Sequence, residues 1–385
     1  MVAERMASIR PFYVMELLAR ARTMEQEGRS VIHMEVGEPD FETPGPIVEA
    51  GKRALDAGSS HYTPAAGIIE LRRAIADDYR KRFGVQLDPS RILVTPGSSG
   101  ALQLVMSILI NPGEGVMMAD PGYPCNRNFV HLVSGEPVTI PVDAGTGYQL
   151  TAEMVERSWR DNIRAVMVAS PSNPTGTLLK RDELERIHRV VKSRGGVLIV
   201  DEIYQGLVYD GTPFSALEIS DDLFIINSFS KFYGMTGWRL GWLVAPASYV
   251  GAADRLAQNI FLAASTPAQH AALAAFDDET QAIVTSRRDA FRERRDYLLP
   301  ELRRLGFEIS RVPEGAFYLY ANVSGITDDS ARFAHDLLEQ EGVAITPGKD
   351  FGDYLPEQHV RFAYTTSMEK LKEGVVRIER FLNQG

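Results

Sequence analysis

Polar residues with complementary chemistry follow short apolar segments of the chain. The residues of this kind are Ser98, Ser99, Tyr123, Asn173, Asp201, Tyr204, Ser228, Ser230 and Lys231, while Arg239 precedes a further apolar segment. Each one alone has an ordinary explanation as a turn, a cap or a solvated charge. Together they offer a phosphate site, an aromatic ring, an amide, a carboxylate, a phenol and an amine.

These residue types fit the chemistry of a phosphate-bearing pyridine ring. A helix N-terminus after Gly97, with Ser98 and Ser99, would offer free backbone N–H groups and hydroxyls to the phosphate, and Arg239 would add a guanidinium of fixed geometry. Asp201 could pair with a protonated ring nitrogen, so that the ring accepts electrons from a carbanion. Lys231 would supply the amine for a Schiff base and then act as a general base.

The apolar segments predict the sheet that must position these residues. They are Ile92–Thr95, Val116–Ala119, Val138–Ile140, Ala165–Ala169, Val197–Val200, Phe224–Asn227 and Leu240–Val244. None alternates cleanly with polar residues, which is typical of strands buried on both faces. Helical patterns lie between many of them, at Glu70–Phe83, Ala101–Leu109 and Asp182–Ser193, the last with Asp182 as its cap. This alternation predicts an α/β domain in which helices sandwich a mostly parallel, seven-stranded sheet.

The end of the chain has a different pattern. It contains a long charged helix at Ala282–Leu305, strand candidates at Gly315–Tyr320 and His359–Tyr364, and a final helix at Met368–Asn383. We therefore expect a large domain at 45–280 and a smaller α+β domain formed by 1–44 together with 281–385. Ligands of open α/β sheets bind beyond the carboxyl ends of the strands, where the polar residues gather.

Several motifs resemble one enzyme family. The run SFSKFYGMTGWRLG (Ser228–Gly241) is similar to the cofactor-lysine signature of the class I and II aminotransferases, which are fold-type I pyridoxal 5'-phosphate (PLP) enzymes. SPSNPTG (Ser170–Gly176) and VDEIY (Val200–Tyr204) resemble two further motifs of the family in the same order. With VGEPDF (Val36–Phe41) and VRFAY (Val360–Tyr364), the resemblance covers nearly the whole chain.

The resemblance implies a role for each matching position. Lys231 matches the Schiff-base lysine, Asp201 the partner of the ring nitrogen, and Tyr123 the ring that stacks on the cofactor. The phenolic oxygen would be held by Asn173 and Tyr204, and the phosphate by Ser98, Ser99, Ser228, Ser230 and Arg239. Arg361 matches the arginine that binds the substrate α-carboxylate, and Gly37 a glycine that closes over it. Tyr62 matches a tyrosine that reaches the phosphate of a neighbouring subunit, which implies a homodimer with shared active sites.

Transamination is the reaction that this resemblance favours. An amino group would pass from an L-amino acid to a 2-oxo acid by a ping-pong mechanism, with glutamate and 2-oxoglutarate as one pair. The same residues also serve β-lyases of sulfur amino acids and cyclopropane-forming synthases. An aspartate-specific subgroup carries a lysine beside the phosphate turn, whereas this turn reads SSGAL. Aspartate, alanine, aromatic and other neutral amino acids therefore stay open as substrates.

Bulk properties exclude other classes of protein. The 385 residues carry a formal charge of −10, which argues against nucleic acid as a partner. About thirty residues precede VGEPDF, too few for the DNA-binding domain of a transcription regulator with an aminotransferase-like sensing domain. The charged N-terminus shows no signal peptide or membrane span, and the histidines show no metal-ligand spacing. The single cysteine, Cys125, excludes an intrachain disulfide, and we expect an inert thiol and a cytoplasmic location.

Overall fold

The structure is a computed structural model that describes residues 2–384. It contains a large α/β unit built on a seven-stranded sheet, and a smaller unit that includes a three-stranded sheet. The fold class predicted from the sequence is confirmed. The domain boundaries near residues 45 and 280 stay a prediction.

The strands follow the apolar segments of the sequence. In chain order they are β1 (Ile32–His33), β2 (Ile92–Thr95), β3 (Gly115–Asp120), β4 (Glu136–Pro141), β5 (Ile163–Ala169), β6 (Val197–Asp201), β7 (Phe224–Ser228), β8 (Gly241–Val244), β9 (Tyr318–Asn322), β10 (Val343–Ala344), β11 (Thr346–Pro347) and β12 (His359–Ala363). The large sheet has the order β2-β8-β7-β6-β5-β3-β4, and only β8 runs antiparallel to its neighbours. All seven predicted strands therefore belong to this sheet.

Helices cover both faces of the large sheet. Successive residues of β5 show this, because Val166 and Val168 join one apolar cluster whereas Ala165 and Met167 join another. A strand buried on both faces needs apolar residues at every position, which explains the unbroken apolar segments.

The five helices for which the sequence predicted bounds are present, although those predicted to start at Ala101 and Ala282 each begin four residues earlier. In chain order the helices are α1 (Tyr13–Gln26), α2 (Gly45–Asp56), α3 (Ile69–Phe83), α4 (Gly97–Leu109), α5 (Pro124–Leu132), α6 (Ala152–Ser158), α7 (Arg181–Ser193), α8 (Val250–Ile260), α9 (Thr266–Leu273), α10 (Asp278–Arg304), α11 (Ser330–Glu341) and α12 (Met368–Leu382). Asp182 is not the cap of α7, since Lys180 holds that position and Asp182 lies in the first turn. The negative charge of Asp182 there still interacts favourably with the positive, N-terminal end of the helix dipole. Across residues 2–384, no helix is both long and apolar enough to cross a bilayer.

The smaller unit joins the two ends of the chain. Strands β11, β12 and β9 form an antiparallel sheet, while β1 pairs in parallel with β10. The predicted strand at Gly315–Tyr320 starts too early. Ala316 has a φ of 58°, which is incompatible with an extended strand, so β9 begins at Tyr318.

Candidate active site

The carboxyl ends of β5, β6 and β7 border one cavity of about 360 Å³. Its lining contains every residue that the sequence predicted for the site except Tyr62. These residues are Gly37, Ser98, Ser99, Tyr123, Asn173, Asp201, Tyr204, Ser228, Ser230, Lys231, Arg239 and Arg361. The fold brings them together, and their roles in binding stay predictions.

Lys231 lies three positions after the end of β7. Its Nζ donates a hydrogen bond to the carbonyl oxygen of Gly37 at 2.8 Å. Burial lowers the pKa of Lys231 to about 8, with the charges of Arg361 and Arg239 acting in the same direction and Glu38 against it. A substantial share of this amine is therefore neutral near pH 8, and only the neutral amine is a nucleophile or a base.

Asp201 is the last residue of β6 and is 5% exposed. Its carboxylate accepts a hydrogen bond from the Ile203 backbone N–H at 3.0 Å. Burial raises the pKa of Asp201 to about 7, although the charge of Lys231 opposes the shift. A cationic partner in the cavity would stabilise the ionised form. The adjacent Glu202 does not line the cavity; instead it accepts hydrogen bonds from Ser215 Oγ and the Ala216 N–H.

The N-terminal end of α4 and Arg239 form the side of the cavity that could bind an anion. Ser98 and Ser99 lie in the first turn of α4, where backbone N–H groups have no partner within the helix. The Nη1 of Arg239 donates to the carbonyl oxygen of Thr236 at 2.9 Å. Arg239 has a φ of 53°, an uncommon backbone conformation for a residue other than glycine and one often found at functional sites.

Gly97 allows the guanidinium of Arg239 to lie close to the start of α4. It has a φ of +67°, and a Cβ atom at this position would lie 2.6 Å from Arg239 Nη2. Nearby, the Ser228 and Ser230 hydroxyl oxygens are 2.9 Å apart. Two hydroxyls, a guanidinium and a helix N-terminus are suitable hydrogen-bond donors for a phosphate group.

Arg361 reaches the cavity from β12 and is 4% exposed. Its Nη1 donates to Asn173 Oδ1 at 2.9 Å, and its Nη2 donates to the Glu35 carbonyl oxygen. Its Nε has no hydrogen-bond partner among the described residues. A guanidinium held in place with donor capacity left over suits a carboxylate ligand.

Tyr318 is a site residue that the sequence reasoning missed. Its hydroxyl lies 2.8 Å from that of Tyr204, and its ring centroid is 4.4 Å from the Arg361 guanidinium carbon. Gly37 has no room for a side chain, because a Cβ atom there would lie 1.9 Å from Tyr318 Oη. Tyr318 falls within a predicted strand, but nothing in its local sequence indicated a place in the cavity.

The comparisons with known proteins agree with this arrangement. The pattern of the family described as "Aminotransferase class I and II" matches residues 29–378. The chain belongs to the class I and II aminotransferase family. Its relatives and structural neighbours are aminotransferases, and it is an enzyme of the transaminase type, as expected.

Relatives of this chain carry the names of enzymes that act on different substrates. The chain is 38% identical to the (5-formylfuran-3-yl)methyl phosphate transaminase of Methanocaldococcus jannaschii, with 100% of both chains covered. It is also 38% identical to the valine–pyruvate aminotransferase of Mycobacterium tuberculosis, covering 98% of this chain and 97% of that one. The structure of the Thermus thermophilus aspartate aminotransferase with maleate superposes with a TM-score of 0.94, at 33% identity and 99% coverage of both chains. Family membership alone therefore does not identify the substrate.

The cavity of this aminotransferase fits PLP, the cofactor typical of its family. The groups that could bind its phosphate lie on one side of the cavity, and the carboxylate of Asp201 is buried without a cation in hydrogen-bond contact within residues 2–384. A protonated ring nitrogen would supply that missing cation. The amine of Lys231 lines the same cavity.

Tyr62 and Cys125, which the sequence analysis also discussed, do not line the cavity. Tyr62 is 84% exposed on the isolated chain, and its predicted contact with a neighbouring subunit stays a prediction.

Cys125 is half-buried, and burial raises the pKa of its thiol. The thiol therefore stays protonated near neutral pH, which agrees with an inert packing role.

Proposed function

We propose that this aminotransferase binds PLP at Lys231 and moves an amino group between an L-amino acid and a 2-oxo acid by a ping-pong mechanism. Glutamate and 2-oxoglutarate form one of its two substrate pairs. The observation that carries the proposal is the convergence of the Lys231 amine, the Asp201 carboxylate and the Arg361 guanidinium on one cavity. These groups come from three separate strands or strand ends, and no simpler structural role requires all three there.

The residues that would hold PLP are those predicted from the sequence. Asp201 would pair with the ring nitrogen, Tyr123 would stack on the ring, and Asn173 with Tyr204 would bind the phenolic oxygen. The phosphate would be held by Ser98, Ser99, Ser228, Ser230 and Arg239. When bound, PLP supplies an electron sink for the carbanion formed at the substrate Cα.

Lys231 and Arg361 carry the steps that the protein itself performs. Arg361 binds the α-carboxylate of the amino acid and so fixes the position of Cα. Lys231 Nζ would then accept the proton from the substrate Cα and later donate a proton again. A pKa of about 8 suits this task, because the same amine must accept and donate a proton near neutral pH.

An absorbance titration of the purified protein tests the proposal. We expect one or more L-amino acids to shift the visible band of the bound cofactor, and a 2-oxo acid to restore it. Release of ammonia and pyruvate without that reversible shift would contradict a transaminase mechanism. Running the titration with single amino acids would also rank the substrates.

Replacement of the lysine gives the second test. Lys231→Ala removes both the attachment point and the proton carrier, so we expect turnover to fall by at least roughly 10⁴-fold while the fold is retained. Lys192→Ala is the matched control, because that lysine is exposed on α7 and does not line the cavity. Turnover retained in Lys231→Ala, measured with the substrate found by titration, would refute the mechanism.

We further propose a homodimer whose two active sites are shared, with Tyr62 contributed by the neighbouring subunit. Its exposure on the isolated chain supports this, because a tyrosine that serves another subunit must lie at the surface of its own. The cytoplasmic location expected from the sequence stays a prediction.

A further inference from the structure

Glu35 is a fully buried acidic residue that the proposed mechanism does not use. Its side chain is 0% exposed, and its Oε2 atom has no hydrogen-bond partner within the described residues. A buried polar atom without a partner costs free energy, and such groups are rare in folded proteins. We therefore expect Glu35 to have a role that an apolar residue could not fill.

His33 is the partner of this carboxyl group. Its Nδ1 lies 2.7 Å from Glu35 Oε1, and its Nε2 lies 3.2 Å from Oε1 of Glu25 on α1. An ionised carboxyl group only accepts hydrogen bonds, so the imidazole satisfies both neighbours only when both of its nitrogens carry a proton. The hydrogen bond to Glu35 accordingly raises the pKa of His33, although burial opposes the shift. The charged ring is thus the counterion of the buried carboxyl group.

The backbone of Glu35 holds the guanidinium of Arg361. Its carbonyl oxygen accepts hydrogen bonds from Arg361 Nη2 and from Thr346 Oγ1, the latter at 2.9 Å. One position earlier, the carbonyl oxygen of Met34 accepts from the Ala363 N–H at 2.7 Å. Residues 34 and 35 therefore run beside β12 and fix the guanidinium of its arginine from one side.

The charged groups around the His33 ring come from two elements. Glu35 faces it from its own segment and Glu25 faces it from α1. Strand β10, which pairs with β1, is apolar. Helix α12 also packs on β1, and its Arg377 donates to the carbonyl oxygen of Ser30, before the strand begins. The proton on His33 is therefore governed mainly by the two carboxyl groups.

From these contacts we propose that His33 and Glu35 are positioning residues for Arg361, and that the proton on His33 makes binding of the substrate α-carboxylate dependent on pH. The inference rests on the proposed function, since it takes Arg361 as the residue that binds this carboxylate. Neither His33 nor Glu35 lines the cavity, so both act through the backbone at residue 35. When His33 loses its proton, Glu35 is left buried without a counterion, which favours movement of its segment toward water and away from Arg361.

Removal of the imidazole tests this coupling through ligand affinity. The probe is the 2-methyl analogue of the amino acid identified by titration, which keeps the α-carboxylate but has no Cα proton, so the cofactor band reports binding alone. We expect His33→Ala to raise the Kd of this probe roughly tenfold at about pH 6. The increase should fall below about threefold at about pH 9, once the wild type has lost the same proton.

An exposed histidine provides the matched control for that variant. His335 also lies beside a carboxyl group, that of Asp336 at 3.2 Å, but on the surface of α11. His335→Ala should leave the Kd unchanged at both pH values. An equal increase in Kd at both pH values in His33→Ala would mean a structural role only and would overturn the inference.

A second substitution separates charge from packing. Glu35→Gln removes the charge but keeps a side chain of the same size, so the double variant His33→Ala/Glu35→Gln contains no uncompensated buried carboxylate. We expect the double variant to bind the probe at about pH 6 within about threefold of the wild type, although it lacks the same imidazole as His33→Ala. A loss of affinity equal to that of the single variant would show that packing of the ring, and not the buried charge, holds Arg361, and the inference would fail.

Titration of the His33 ring gives a readout that does not depend on activity. Nuclear magnetic resonance of the purified protein with isotope-labelled histidine follows each ring, and the signal that is missing in His33→Ala identifies His33. We expect this ring to titrate above the ordinary pKa of about 6.5 in the wild type, and closer to that value in Glu35→Gln. The same midpoint in both proteins would refute the pairing of His33 with Glu35. If no amino acid shifts the cofactor band, the proposed function fails, whereas this titration still tests the pair.

Discussion

Among the residues of the cavity, Asp201 has the properties most typical of a ligand-binding residue. Burial raises the pKa of Asp201 to about 7, above the value of roughly 3.9 in an unfolded chain. A carboxyl group with a raised pKa in the folded state stabilises the protein most below its unfolded pKa. That contribution is lost as the pH rises through the folded value. We therefore expect the cofactor-free protein to lose stability between about pH 4 and pH 7 through this residue.

Asp201→Asn tests this expectation. The amide cannot ionise, so the cofactor-free variant should exceed the wild type in free energy of unfolding at pH 8 by on the order of 2 kcal/mol, and by much less at pH 5. Urea denaturation at both pH values measures the difference. Asp161→Asn, at an exposed turn, is the control and should show no such pH-dependent gain. An equal gain in the free energy of unfolding at both pH values would mean that ionisation of Asp201 does not destabilise the folded protein.

Sequence motifs near the strand ends were enough to predict that Asp201 and Lys231 lie at the same edge of the sheet. Asp201 is the last residue of β6 and Lys231 lies three positions after β7, so the ends of these strands place both residues there. Tyr318 has no such local signal. Its partner Tyr204 lies 114 positions away, and only the folded chain brings the two hydroxyls together.

At the scale of elements, the turn that opens α4 makes a testable contribution to cofactor binding. Gly97→Ala forces a β-carbon into the left-handed region and toward Arg239 Nη2. We expect about 1 kcal/mol lower stability and roughly tenfold weaker PLP binding, measured by equilibrium dialysis.

Gly84 provides the matched control for that variant. It ends α3 with a φ of +69°, and a Cβ atom there would have nothing within 4 Å. Gly84→Ala should therefore show the same backbone penalty with unchanged PLP affinity. Equal affinity losses in both variants would show that the contact with Arg239 is irrelevant.

The positions of the strands were predictable, but their arrangement in the sheet was less so. An apolar segment buried on both faces identifies a strand, yet it contains no information on which neighbour the strand pairs with. The antiparallel β8 between β2 and β7 is an example. The start of β9 was also missed, because the positive φ of Ala316 is set by tertiary contacts and alanine gives no local sign of it.

At the scale of the whole molecule, Tyr62 links the active site to assembly. A tyrosine that is 84% exposed contributes little to the stability of its own chain, so Tyr62→Phe should unfold at the same denaturant concentration as the wild type. If its hydroxyl binds the phosphate in the neighbouring subunit, the variant should bind PLP roughly tenfold more weakly. Light scattering on the purified protein should give the mass of a dimer.

Dimers formed from two different variant chains would show which subunit supplies the Tyr62 hydroxyl to each active site. In a dimer of one Tyr62→Phe chain and one Lys231→Ala chain, a shared arrangement pairs the intact Lys231 of the first chain with the intact Tyr62 of the second. One of the two sites is then wild type, and its PLP affinity and turnover are restored. If Tyr62 serves its own chain, the site with the intact lysine still lacks the hydroxyl, and affinity stays as low as in the Tyr62→Phe homodimer. Because both variants are present in either case, only the geometry of assembly separates the two outcomes.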